Sequence, residues 1–206
     1  MGTTTVNISA AQVKELRDKS GAPMMDCKKA LAEAKGDLEQ AIVLLRKRGT
    51  AVAERKAGRA TSEGSVASYI HAGGKIGALV EVDCETDFVA RTEEFQAFAS
   101  DVALHVAASN AQYVSREDVD EEAREAELRV LREQAASEGK PENVQEKIVE
   151  GRLNKWLEEV VLLEQKHVNE DKHEAKTIGE LLTELAANTR ENVVIRRFAR
   201  FQVGGE

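Results

Sequence analysis

The sequence predicts an α+β fold, on three observations. First, apolar residues recur at helical spacing through about residue 50, interrupted by Gly21, Gly36 and Gly49. Second, the period changes at SVASYIHAGGKIGALVEVDC (Ser65–Cys84), where two β-prone runs flank Ala72-Gly73-Gly74, a hairpin signal. Third, NVVIRRFARFQV (Asn192–Val203) is β-branched and alternating, a further strand with Val193, Ile195, Ala199, Phe201 and Val203 on one face. Strands gathered into one small antiparallel sheet, with the helices elsewhere in the chain, describe α+β rather than a parallel α/β fold.

Each element has a local reason. SAAQ (Ser9–Gln12) is a capping box: the Ser side chain takes a free N–H and the Gln reaches back. Val13 and Leu16 supply the apolar stripe, and Gly21 ends this first helix. Pro23 sits where a first-turn proline is tolerated, and Met24, Cys27, Ala30, Leu31 and Ala34 follow at helical spacing up to Gly36. DLEQ (Asp37–Gln40) starts a third helix with Leu38, Ala41, Ile42, Leu44 and Leu45 buried and Gly49 as its end. Helices this short do not stand alone, so they are expected to pack as a three-helix module over residues 1–50.

RKRGTAVAERKAGRATSEG is small, basic and poor in large apolar residues, and residues 51–64 read as a linker, in part helical. Residues 65–206 form the core domain. Within it, Phe95, Phe98, Ala99, Val102, Leu104 and Val106 mark a helix ending near Asn110. Ser115 opens a highly charged helix with a sparse stripe of Val119, Ala123, Ala126 and Val130, and Gly139-Lys140-Pro141 breaks it. ENVQEKIVEGRLNKWLEEVVLLEQ (Glu142–Gln165) returns, so an antiparallel helical hairpin is expected at about 115–165.

Composition narrows the function. The chain has 206 residues, 42% hydrophobic and 32% charged, with 14 Gly and 2 Pro, which is globular and rich enough in apolar residues for a real core. A net charge of -8 argues against a general nucleic-acid binder. Cys27 and Cys84 have no CxxC or Cys/His spacing, so a reduced, intracellular protein is expected. The start, MGTTTV, has no apolar signal region, and Val6 breaks the myristoylation pattern. No apolar run approaches a membrane span.

The residues offer little covalent chemistry. His71, His105, His167 and His173 form no HExxH or HxE pattern, and no phosphate-loop motif occurs. No metal site and no cofactor are expected. Cys84 and His71 share the predicted hairpin and could be read as nucleophile and base, but a buried strand cysteine is the commoner state. A binding protein that works by contact is favoured over an enzyme.

Three stretches are not explained by core packing alone. Met24 and Met25 point about 100° apart on a helix, so either both pack within a small module or one faces a partner. His105, among Leu104, Val106 and Ala107, is on these residues a satisfied core or rim histidine. In Thr86-Asp87-Phe88-Val89, either Phe88 tucks under the sheet and Asp87 caps the next turn, or the pair forms an apolar wedge with a charged edge aimed at another protein.

KELRDKSGAPMMDCKKALAEAKGDLEQAI (Lys14–Ile42) and VEVDCETDFVARTEEF (Val80–Phe95) resemble the two signatures of the translation elongation factor Ts family. LHVAAS, EGKPENVQEKIVEGRLNKWLEEVVLLEQ and ENVVIRRFARF continue the match over nearly the whole chain, in the length of the family's short form. The resemblance implies a ubiquitin-associated-like three-helix module and a core with a small antiparallel sheet and a protruding helical hairpin. It implies guanine-nucleotide exchange on elongation factor Tu, without direct nucleic-acid or membrane binding. It implies that Thr86, Asp87, Phe88 and Val89 reach the partner's GTPase domain and dislodge Mg²⁺, with Phe88 as wedge. Arg17, Met24, Met25 and Lys28 match partner-contact positions, and His105 matches a core histidine used the same way. Short members are expected to pair as homodimers through the core sheet. Two positions depart from the family: Lys166-His167 stands where it commonly carries Pro-Phe, and Ala199 stands where some short members carry a cysteine, which removes a covalent link between subunits.

Overall fold

The computed structural model describes residues 8–139 and 141–205. Lys140 of the expected helix breaker and the MGTTTV start, Val6 included, lie outside them. The chain divides into two compact units: Met1–Gly64, Asp83–Phe95 and Leu182–Val194 make the first, and Ser65–Val82, Gln96–Leu181 and Ile195–Glu206 the second.

In the first unit, helices α1 (Ala10–Ser20), α2 (Met24–Glu33) and α3 (Leu38–Lys56) pack against one another. The Ser9 capping box forms as the sequence predicts, and Gly21 closes α1 at φ 66°, a left-handed conformation that glycine adopts without strain. A Cβ at Gly21 would also sit 2.7 Å from Asn188 Nδ2. Asp37 caps α3 by accepting from the Gln40 N–H. The shared core is Val13, Leu16, Cys27, Ala30, Leu31, Ala41 and Leu45, with Ile42 and Leu44 partly buried against it.

Gly49 does not end α3, which continues to Lys56. Its role is spatial: a Cβ there would lie 3.2 Å from the Ala187 Cβ on α9 (Ile178–Thr189). Close helix contact outweighs the propensity cost of a mid-helix glycine, about 1 kcal/mol.

Strands β1 (Glu63–Ile70), β2 (Ile76–Cys84) and β3 (Val193–Gln202) form a three-stranded sheet in the order β1-β2-β3. The His71 N–H to Ile76 C=O bond (2.9 Å) closes the predicted hairpin, with Gly73 at φ 92° and Gly74 at φ 69° in its turn. The Val203 N–H donates to the Lys75 C=O (2.8 Å), so β3 runs antiparallel to β2. The fold is α+β.

In the second unit Ala78, Val80 and Val82 are buried on one face of β2, together with Val102, Ala103, Val106 and Ala107 of α5 (Glu93–Ala108). Arg200 Nε reaches from β3 to the Ala107 carbonyl of α5 at 3.2 Å. Only Val193 and Ile195 of the predicted β3 face are buried; Ala199, Phe201 and Val203 are exposed.

Helices α6 (Glu121–Ser137) and α7 (Glu142–Val160) pack along each other around Leu131, Ala135, Val149, Leu153, Leu157 and Val160. The predicted α6 stripe is displaced, since Val130 is 47% exposed and Leu131 buried. Among so many charged residues, the alanines and valines of 119–130 under-determine the phase of the stripe. Ser115 caps a 3-10 turn (Arg116–Asp118) rather than α6 itself. Helix α9 is absent from the sequence reading, although Thr177-Ile178-Gly179-Glu180 carries a capping-box signature and forms it: the Glu180 N–H meets Thr177 Oγ1 at 3.1 Å and the Thr177 N–H meets Glu180 Oε2 at 2.9 Å.

Candidate functional site

Thr86-Asp87-Phe88-Val89 lies in the first unit, where β2 ends. It forms one helical turn, α4 (Asp87–Ala90), capped by Thr86, whose hydroxyl accepts from the Val89 N–H at 3.4 Å. Thr86, not Asp87, is therefore the cap. Asp87 instead pairs with Arg91, one turn on, at 2.9 Å. Phe88 is 81% exposed and does not tuck under the sheet. Its neighbour Ala90 is buried and anchors the turn.

What holds this turn is a carboxylate the sequence reading missed. Glu191, between α9 and β3, accepts from the Glu85 N–H (3.1 Å) and the Thr86 N–H (3.0 Å) on one oxygen, and from the Thr86 hydroxyl (2.6 Å) on the other. Glu85 reciprocates: its carboxylate accepts from the Asn192 N–H at 2.7 Å and faces Arg59 at 3.4 Å. The Asn192 N–H bond, foremost, and Arg59 hold the Glu85 carboxyl below its ordinary pKa. Two acids crossing between the strand ends clamp the backbone just before Phe88, at Glu85 and Thr86.

Four of the expected contact residues share this unit. Met24 (45% exposed) and Met25 (62% exposed) stand in the first turn of α2, with Arg17 and Lys28 exposed on α1 and α2. Both methionines thus face outward, while Cys27 carries the inward stripe at 0% exposure. Arg190 ties α2 to the clamp: its guanidinium meets Asp26 at 2.6 Å, next in sequence to Glu191. Arg190 holds a left-handed φ of 60°, which turns the chain from α9 into β3.

His105 is placed differently, in the second unit at 1% exposure. Its Nε2 donates to Gln165 Oε1 (2.8 Å), and its Nδ1 accepts the Val168 N–H (3.1 Å). Burial pushes its pKa down, so the ring is neutral at physiological pH. It is a satisfied core histidine that ties α5 to the segment following α7.

The nucleophile reading of Cys84 fails on geometry. Its thiol is fully buried and donates to the Thr86 carbonyl at 3.2 Å, and burial, then the Glu191 charge, pushes its pKa up. His71 instead pairs with the Tyr69 hydroxyl at 3.3 Å. Among the described residues no helix is long and apolar enough to cross a membrane.

The site is thus a braced turn presenting one bare aromatic beside an acid, on a scaffold whose two thiols are buried. Comparison with known proteins gives the family. The family described as Elongation factor TS matches residues 6–205. The chain is 58% identical over 199 residues to elongation factor Ts of Koribacter versatilis, covering 97% of this chain and 90% of the relative. It is 56% identical to elongation factor Ts of Geobacter sulfurreducens (97% and 91% covered) and 55% identical to that of Caldanaerobacter subterraneus (96% and 97% covered). This chain belongs to the elongation factor Ts family.

Proposed function

We propose that this protein is a cytoplasmic guanine-nucleotide exchange factor for elongation factor Tu, promoting GDP release by contact alone, with no covalent chemistry and no cofactor of its own. Family membership supports the role. The observation that carries the mechanism is Phe88, the most exposed large hydrophobic residue among those described, set on a turn that Glu191 and Glu85 clamp.

GDP on such a GTPase is held by phosphate contacts and Mg²⁺. The factor need not touch the nucleotide; it must bind best to a partner conformation that holds Mg²⁺ badly. Binding coupling is reciprocal, so the factor weakens GDP as much as GDP weakens the factor. Phe88 inserts between partner side chains, while Asp87 pairs with partner polar groups. Thr86 and Val89 set the turn that aims them. A rigid clamp matters because binding energy spent on ordering a loop is not available to distort the partner. Arg17, Met24, Met25 and Lys28 supply a second contact from the ubiquitin-associated-like module (1–50), joined by the linker (51–64) to the dimerisation core (65–206) with its protruding hairpin. His105, buried with both ring nitrogens bonded, serves through the packing it holds.

Homodimer formation is supported by the outer face of the sheet. The strand register places Ile70, Leu79, Phe201 and Val66 on the face opposite the buried residues of β2, and they are 67%, 46%, 66% and 65% exposed. A second copy covering this face would bury them without a disulfide.

Stopped-flow release of a fluorescent GDP from elongation factor Tu tests the reading. Strong acceleration is expected from the protein, largely lost in Phe88→Ala and weakened in Asp87→Ala. A protein that binds elongation factor Tu yet fails to speed release would overturn the exchange role.

A further inference from the structure

We propose that Asp101, His167 and His173 bind one divalent transition-metal ion of the zinc class, independently of the exchange role. One ligand atom from each lies within 4.8 Å of the others, although the residues are far apart in sequence. Asp101 comes from α5, His167 from the segment after α7, and His173 from α8 (Glu170–His173), all in the second unit. His173 Nε2 is 3.3 Å from Asp101 Oδ2. Two bonds of about 2.0–2.1 Å at a tetrahedral angle put their ligand atoms about 3.3–3.4 Å apart. The pair therefore stands at the separation a shared zinc requires. The His167 and His173 rings meet at a 58° tilt with centroids 4.2 Å apart, which brings the third donor to the same place.

The second observation is that His173 Nε2 is buried and its 3.3 Å contact with Asp101 Oδ2 lacks hydrogen-bond geometry. Buried polar atoms are normally satisfied, and a metal would satisfy this one. Two imidazoles and one carboxylate suit zinc and its neighbours rather than Mg²⁺ or Ca²⁺, which prefer all-oxygen sites. A fourth position is left for water.

The geometry also sets the competition. His167 Nε2 donates to the Asp101 carbonyl (3.1 Å) and its Nδ1 accepts the Asn169 N–H (3.0 Å), so ligation costs one of those bonds. Lys172 Nζ holds both Asp101 oxygens at 2.8 and 2.6 Å. That ammonium is a rival cation on the same carboxylate, and with its side chain 51% exposed it has water to swing into.

The test is titration of the full chain with Zn²⁺ against a chromophoric chelator, with Co²⁺ absorption reporting the coordination. One ion per chain is expected. Asp101→Asn and His173→Ala should each weaken binding at least as much as loss of an outer-sphere partner does, about 10–100-fold. His71→Ala, remote from the cluster in sequence and paired with Tyr69, should not. Lys172→Met, which frees the carboxylate, should tighten it. Asp101→Asn is isosteric and keeps the test valid where His173→Ala fails to fold. No saturable binding by the unmodified protein, or affinity unchanged in Asp101→Asn, overturns the site.

Discussion

Glu191 and Phe88 have opposite relations to the fold, and single substitutions separate them. Phe88 is exposed, so Phe88→Ala should leave the urea midpoint within about 0.5 kcal/mol of the parent while removing exchange. Glu191 accepts two backbone N–H groups and a hydroxyl, all part-buried. Glu191→Ala leaves those donors without their acceptor and should cost about 1–3 kcal/mol in urea unfolding, with exchange falling because the wedge is no longer aimed. If Glu191→Ala unfolds like the parent, the clamp does not hold the turn. Glu85 adds a pH signature. Its folded pKa is depressed, so its stabilisation is present above the ordinary carboxylate range and is lost as pH falls through that range into the folded value. The acid limb of a stability–pH curve should flatten in Glu85→Gln. Few aromatics and an adjacent acid single out Phe88 in the sequence, but the residues alone leave open whether it is exposed or tucked under the sheet. Glu191 is not singled out: its partners are over a hundred residues away in sequence, and no local pattern marks a carboxylate that turns inward to backbone amides.

At the scale of elements, two glycines in helix interiors predict opposite outcomes. Gly49 of α3 has Ala187 of α9 at 3.2 Å from where its Cβ would be, so Gly49→Leu overpacks that contact and should destabilise by about 1–3 kcal/mol. Gly151 of α7 has nothing within 4 Å, and Gly151→Ala should stabilise by about 0.5–1 kcal/mol through helix propensity. Thermal or urea unfolding of both variants checks the pair; a stabilising Gly49→Leu would show that α3 does not lean on α9. The sequence reading carries a helix through Gly151 but ends one at Gly49, which in fact lies inside α3. Caps fared better: Ser9, Gly21 and Asp37 act within a few residues of their partners, so their chemistry is local and readable. The α6 stripe fared worse because small apolar residues sit on more than one side of that helix.

For the whole molecule, the sheet's outer face carries the quaternary prediction. Gly77 lies under Ile70, whose Cδ1 would be 2.7 Å from a Cβ there, and the register sets Phe201 on its other side. Beyond this apolar row, Glu81 and Arg197 pair at 2.5 Å. Phe201→Asp should shift the protein toward monomer in sedimentation or light scattering, with far-UV circular dichroism unchanged, because the side chain is already outside the chain's own core. A parent protein that is monomeric at micromolar concentration would remove the dimer.

The sequence by itself determined the α+β class, the hairpin, the caps of the first helices and the Asp87-Phe88 pair. These depend on period, turn chemistry and side-chain size, which act over a few residues. Only the tertiary structure decided which half of β3 is buried, that Gly49 is a contact rather than a stop, that Glu191 clamps the turn carrying Phe88, and that Asp101, His167 and His173 meet. Those outcomes depend on which distant segments share a surface, and the free energy that sets them is a property of packing rather than of any one stretch of chain.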